Sequence, residues 1–205
     1  MPTNEERVEN IYRKYMHVIC PYIVKYELMS NMFPDAILNE IRAVFTHLSK
    51  YYLSDDTLVK ERNLQKAEGH IKRSILDCYK YICVAYEDKY TEFEKKYRRI
   101  DLSFVDNGEF LPQLLEARKN AIALMKDARE SDFSIDSDGD KNLNEDYEKY
   151  EKAFVAYSSV YSLVEGSYRK LENIRKKAAF KDYLAIGGYA IGIIGAILSI
   201  VSFVL

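Results

Sequence analysis

The sequence predicts an all-α protein: a helical bundle over residues 1–182 that continues into a single C-terminal transmembrane helix over 183–205. Three observations predict it. Apolar residues recur at spacings of three and four along almost the whole chain, the period of one helix face, and strand-like alternation is nearly missing. Helix breakers are scarce, with four Pro and eight Gly, and five of the glycines (Gly166, Gly187, Gly188, Gly192, Gly195) lie in or just before the C-terminal stretch. That stretch, Tyr183 to Leu205, contains no charged residue and no Pro, Asn or Gln. At about 1.5 Å per residue it is long enough, as a helix, for the roughly 30 Å hydrocarbon core of a bilayer.

The elements follow in order. A first helix is predicted from about Asn4 to Ser30, kinked near Pro21 because the ring removes a donor and crowds the preceding turn. A second opens at Pro34, which suits a first turn, and ends near Leu53. A third runs from about Asp56 toward Arg99. Its buried face is marked by Leu64, Ala67, Ile71, Ile75, Cys78, Ile82, Ala85 and Phe93. Residues 101–108 break the pattern. A fourth helix covers about Glu109 to Glu130, with Leu114, Ala117, Ala121, Leu124 and Ala128 inward. Residues 131–143 read as a loop, and a fifth helix starts near Asn144 with no breaker between Leu171 and Tyr183.

Composition excludes some functions and leaves others open. The net charge of −2 gives the whole chain no general attraction to nucleic acid, and DNA is not expected as a partner. Trp is absent and Tyr numbers 18, which suits packing against other subunits. Cys20, Cys78 and Cys83 form no CxxC or Cys/His ligand pattern and read as buried reduced thiols. His17, His47 and His70 share no short spacing, so neither a metal site nor a cofactor is expected.

The C-terminal reading is the most specific. The N-terminus has no basic segment followed by an apolar run, so a tail-anchored, single-pass arrangement is expected. Arg169, Lys170, Arg175, Lys176, Lys177 and Lys181, opposed by Glu172 and Asp182, place the preceding domain on the cytoplasmic side of the membrane. The same charges suit anionic headgroups. Within the apolar stretch Ala185, Gly188, Gly192, Gly195, Ser199 and Ser202 recur at spacings of 3, 4, 3, 4 and 3. A seam of small residues lets helices approach closely in lipid, which predicts a homo-oligomer closed as a tight dimer or around a narrow lumen.

Two further motifs concern chemistry. Asp136-Ser-Asp138-Gly-Asp140-Lys-Asn142-Leu-Asn144 has the alternating oxygens of a calcium loop. Lys141 stands where such a loop needs Gly, and Tyr147 stands at the twelfth position, so the segment reads as an acidic loop capping the fifth helix. On the second helix, Arg42 and His47 pair a guanidinium that can hold a phosphate with an imidazole that can move a proton. Their offset of five residues does not put both side chains on one line of the helix. His70 and Arg73 would join Arg42 in a pocket if the second and third helices pack side by side, and the favoured reading is that they only line their helix.

The segment Ala36-Ile-Leu-Asn-Glu-Ile-Arg-Ala-Val-Phe-Thr-His-Leu-Ser-Lys50 resembles the Arg/His helix of HEPN-domain proteins. Lys66-Ala-Glu-Gly-His-Ile-Lys-Arg-Ser-Ile-Leu-Asp77 is similar to the helix that follows in several of them. The resemblance implies a small all-α bundle, RNA as a substrate and Arg42 and His47 as the matching positions. Active members carry a polar residue, often Asn, directly after the Arg, and here it is Ala43. A HEPN-like bundle with one membrane helix is similar to the membrane-bound accessory protein of type VI-B CRISPR systems. That likeness implies an oligomeric, membrane-anchored antiviral effector that permeabilises the inner membrane, with the lipid bilayer, further copies of the chain and RNA or a CRISPR effector as partners. The alternatives are a membrane-tethered RNA endonuclease acting through Arg42 and His47, and a non-enzymatic membrane scaffold.

Overall fold

A computed structural model describes residues 2–133, 143–181, 183 and 189. The described residues contain helices and no strand. Helix α1 (Asn4–Lys14) opens on a capping box: Thr3 accepts from the Glu6 N–H, and the Glu6 carboxylate accepts from the Thr3 N–H. A π-helical turn, Tyr15–Ile19, joins it to α2 (Cys20–Ser30). The π turn is how the predicted kink is resolved. Pro21 has no N–H, and widening the helix by one residue just before it, with the Cys20 N–H reaching back to the Tyr15 carbonyl, lets the chain pass without breaking. Asn31 ends α2 in the left-handed region at φ 54°, its N–H capping the Glu27 carbonyl.

Helix α3 (Asp35–Leu53) and helix α4 (Thr57–Tyr97) follow with the predicted boundaries nearly unchanged. Asp56 starts α4 by accepting the Leu58 N–H at 2.8 Å. The break at 101–108 is a tight segment, Leu102–Gly108, in which Asp106, Asn107 and Gly108 all have positive φ. Helices α5 (Phe110–Phe133) and α6 (Leu143–Gly166) complete the set, and residues 168–181 are again helical. The backbone bonds Ser167 N–H to Leu163 O and Leu171 N–H to Ser167 O carry the chain past Gly166.

Two compact units form, one from Met1–Thr91 and Glu116–Tyr161, the other from Glu92–Leu115 and the chain from Ser162 onward. In the first, Leu64, Ala67, Ile71, Ile75, Cys78 and Ile82 of α4 are all 2% exposed or less. A ring cluster packs beside them: Tyr22 lies edge-on to both Tyr79 and Phe154, with centroids 5.3 Å away in each case. Arg7 ties α1 to α4, binding both Glu61 oxygens at 2.9 Å and Glu68 at 2.7 and 2.9 Å. Cys78 and Cys83 are buried, which pushes both thiols up to about 12, and Cys20 is half-buried. In the second unit, Phe93 packs against Tyr97 at a 41° tilt and meets Phe110 edge-on. Glu172 there gathers Lys96, the Tyr97 hydroxyl and Arg175.

The expectation of a transmembrane helix is corrected. No described helix is long and apolar enough to cross a membrane. The described helix that leads toward the C-terminus, residues 168–181, carries six cations and Glu172, and charge at that density is incompatible with a hydrocarbon core. Of the stretch 183–205, only Tyr183 and Tyr189 are among the described residues, and both are exposed. The small-residue seam of Ala185, Gly188, Gly192, Gly195, Ser199 and Ser202 lies outside the described residues, as do positions 134–142 of the acidic loop.

Candidate functional site

Helices α3 and α4 bring polar side chains together along their shared edge. On α4, Asn63, His70 and Arg73 fall on one stripe, at offsets of seven and three. On α3, Glu40 and His47 do the same at an offset of seven. The apolar neighbours Ile37, Val44 and Leu48 of α3 and Leu64, Ala67 and Ile71 of α4 are buried, so packing of the two helices fixes the cluster at the margin of the core.

Each imidazole is held by its Nδ1. The His47 Nδ1 lies 2.9 Å from Asn63 Oδ1. The Asn63 amide nitrogen donates to the Val59 carbonyl at 2.8 Å, which can only accept, so Oδ1 must face the ring and the His47 Nδ1 must carry the hydrogen. Nε2 of His47 is therefore left as the acceptor of the neutral ring. The His70 Nδ1 lies 2.8 Å from Glu40 Oε2 and equally 2.8 Å from an Arg73 Nη. One nitrogen cannot donate to the first and accept from the second in the same protonation state. Donation to the carboxylate is the stronger bond, and Arg73 is in any case held through its Nε on the same Glu40 oxygen at 3.1 Å. Glu40 thus orients His70 and Arg73 together. The two rings stack with centroids 5.1 Å apart.

Of the residues singled out in the sequence, His47 is in this cluster and Arg42 is not brought to it. Five residues at about 100° each leave the two side chains about 140° apart around α3. Arg42 is exposed, and its guanidinium makes no hydrogen bond or ion pair with a described residue. The guanidinium beside the histidines belongs to Arg73. His70 and Arg73 lie with His47 where the two helices pack side by side, without the Arg42 expected beside them. Sequence reasoning passed over Glu40 and Asn63. Their signal was the offset of seven from His47 and from His70, which places each on the stripe of its own histidine.

His17 is exposed on the π turn, apart from this cluster. Tyr147, at the twelfth position of the acidic loop, has its hydroxyl 3.3 Å from that of Tyr79. Among the described residues no group of three or more His, Cys, Asp or Glu is arranged to hold a metal ion. No family model matches the chain, and neither a curated protein nor a solved structure matches it.

Chemically, the cluster offers two imidazoles oriented by different partners, one a neutral amide and the other a carboxylate. A fixed guanidinium lies beside the second. Such a set can accept a proton at one ring, donate one from the other, and bind an anionic oxygen at the guanidinium.

Proposed function

We propose that this chain is an RNA-cleaving enzyme whose proton transfers run through His47 and His70. The observation that carries the reading is the stacked imidazole pair, each ring anchored at Nδ1 by a partner from the neighbouring helix. In this reaction His47 Nε2 takes the proton of a ribose 2′-hydroxyl, and the 2′-oxygen attacks the adjacent phosphorus. The bond from phosphorus to the 5′-oxygen breaks, and the doubly protonated His70, with Glu40 as its counter-ion, returns a proton to the leaving oxygen. The products are a 2′,3′-cyclic phosphate and a 5′-hydroxyl end. Arg73 faces the charge that develops on the phosphoryl oxygens. The likeness of residues 36–50 to the HEPN Arg/His helix supports RNA as the substrate, with Arg73 standing where Arg42 was expected.

The test is cleavage of a single-stranded RNA by the full chain, followed by analysis of the ends. His47→Ala and His70→Ala are each expected to lower the rate about 100-fold or more. Arg42→Ala should leave it within a few-fold. An oligonucleotide with one 2′-deoxy position should resist cut at that position alone. Equal cleavage by all variants, or cutting at the deoxy position, sinks the reading.

A further inference from the structure

Farther along α4 lies a cavity of about 600 Å³ between α4, α5 and α6 of the first unit. Cys83 is 13 residues beyond His70, about 20 Å along the helix axis, so the cavity is separate from the histidine cluster. Its size is that of a small-molecule site. Val84 of α4 and Ile122 of α5 form apolar walls that stay 48% and 44% exposed, and Met125 and Cys83 line it deeper in. Apolar side chains left open on a concave wall are what a partly apolar ligand covers.

Tyr157 of α6 supplies the polar contact. The residue is only 6% exposed and lines the cavity. Its hydroxyl makes no hydrogen bond with a described residue and is not sealed from solvent, so a ligand acceptor there takes the place of water. Glu87 Oε2 of the same lining is enclosed without a partner and out of a ligand's reach. The surrounding charges cancel. Glu87 is paired with Arg118 at 2.6 Å and Lys126 with Glu130 at 3.6 Å, while Asp88 and Arg129, both exposed, oppose one another in sign. With Arg118 counted, acids and bases around the cavity are equal in number, so it has no net charge to favour an ion.

We infer that this cavity binds a compact, uncharged, largely apolar molecule through a carbonyl oxygen that accepts from the Tyr157 hydroxyl. The inference is independent of the nuclease reading, because neither the ligand class nor the lining residues enter that reaction. It gives the fold a site for a small effector, placed on the same helix that carries Asn63, His70 and Arg73.

Acetophenone and ethylbenzene test it, since they share a shape and differ in the carbonyl. Ligand-observed NMR on the full chain is expected to show acetophenone binding about three- to tenfold tighter, the worth of one hydrogen bond. Tyr157→Phe keeps the ring and should bring acetophenone down to the ethylbenzene value while leaving ethylbenzene unchanged. Ile122→Trp, at a half-open wall position, should narrow the cavity and weaken the saturable binding of both. Absence of binding to the wild-type protein overturns the proposal. So does equal affinity for the two probes, a preference that survives Tyr157→Phe, or affinities for both that Ile122→Trp leaves unchanged.

Discussion

The imidazoles of His47 and His70 stack 5.1 Å apart with ring planes 18° from parallel, one carried by α3 and the other by α4. Stacking alone would be an ordinary contact between helices. What gives it chemical content is the asymmetry of the anchors. His47 is fixed by an amide oxygen that can only accept, while His70 is fixed by a carboxylate shared with a guanidinium. The pair is therefore two differently anchored rings, the asymmetry on which the proposed proton transfers rely.

Asn63 is expected to act as a positioning residue. It is 8% exposed, and its two polar ends are committed to His47 and to the Val59 carbonyl. Asn63→Ala should lower kcat for RNA cleavage about tenfold or more with KM little changed, because the ring loses its fixed tautomer and not its access to substrate. Asn63→Asp, which keeps an acceptor on His47, should recover part of the loss. A rise in KM with kcat unchanged would assign Asn63 to substrate binding instead.

Arg7 should matter to stability in a pH-dependent way. Its guanidinium serves Glu68 and Glu61 at once, and those two carboxylates push it up from its ordinary value. The hydrogen bond from Arg7 in turn holds the Glu68 carboxyl below the usual carboxylate range. A carboxyl depressed on folding adds stability that is present above its unfolded pKa and lost as pH falls through the folded value. Arg7→Ala should therefore cost about 1–2 kcal/mol at neutral pH, a modest figure because Glu61 and Glu68 are partly solvated. Urea melts at descending pH should show the gap to wild type closing below about pH 4. A gap independent of pH would mean that Arg7 acts through packing of its stem.

Gly69 offers a stabilising change. It lies inside α4, where glycine costs about 0.5–1 kcal/mol relative to Ala through backbone entropy. A Cβ there would meet only the Arg73 guanidinium, at 3.7 Å, an ordinary contact. Gly69→Ala should raise stability by about that amount in a thermal or urea melt and leave RNA cleavage intact. Lost cleavage with raised stability would show that the small residue next to His70 is reserved for substrate.

The helical framework was legible because it is written in a local period. The α4 residues read as one inward face, from Leu64 to Phe93, are all buried, and the boundaries of α3 and α4 fall where Pro34, Leu53 and Asp56 place them. The site was half legible. A periodicity says which residues share a face of one helix, but not which face of the next helix meets it. That is why Arg42, close to His47 in sequence, lies about 140° away around α3, while Arg73, outside that helix, is in the cluster. The kink at Pro21 was readable from the missing donor. Its form as a π turn was not, because that depends on how α1 and α2 must both reach the core. The apolar run from Tyr183 carried the expectation of a spanning helix, and hydropathy by itself cannot distinguish such a helix from other apolar segments.

Glu172 gives the second unit its own acid sensitivity. Lys96 at 2.6 Å, the Tyr97 hydroxyl at 2.5 Å and Arg175 at 2.9 Å converge on the one carboxylate and pull it down to about 2. Because the folded value is depressed, its contribution is complete above the ordinary carboxylate pKa and disappears as pH falls toward 2. Glu172→Gln removes the charge while keeping the shape, so it should destabilise the unit at neutral pH and match wild type near pH 2. It also removes the one acidic residue of the 168–181 helix, whose cations then repel one another with Lys170 still paired to Asp106. The Tyr97 hydroxyl keeps an acceptor, because the Gln oxygen accepts in place of the carboxylate. Added salt should screen the repulsion among the cations and narrow the deficit. Hydrogen exchange of the 92–115 and 168–181 amides, followed against pH and salt, reads the outcome directly. A deficit in Glu172→Gln that persists near pH 2 would show that the carboxylate holds this unit by shape and not by charge.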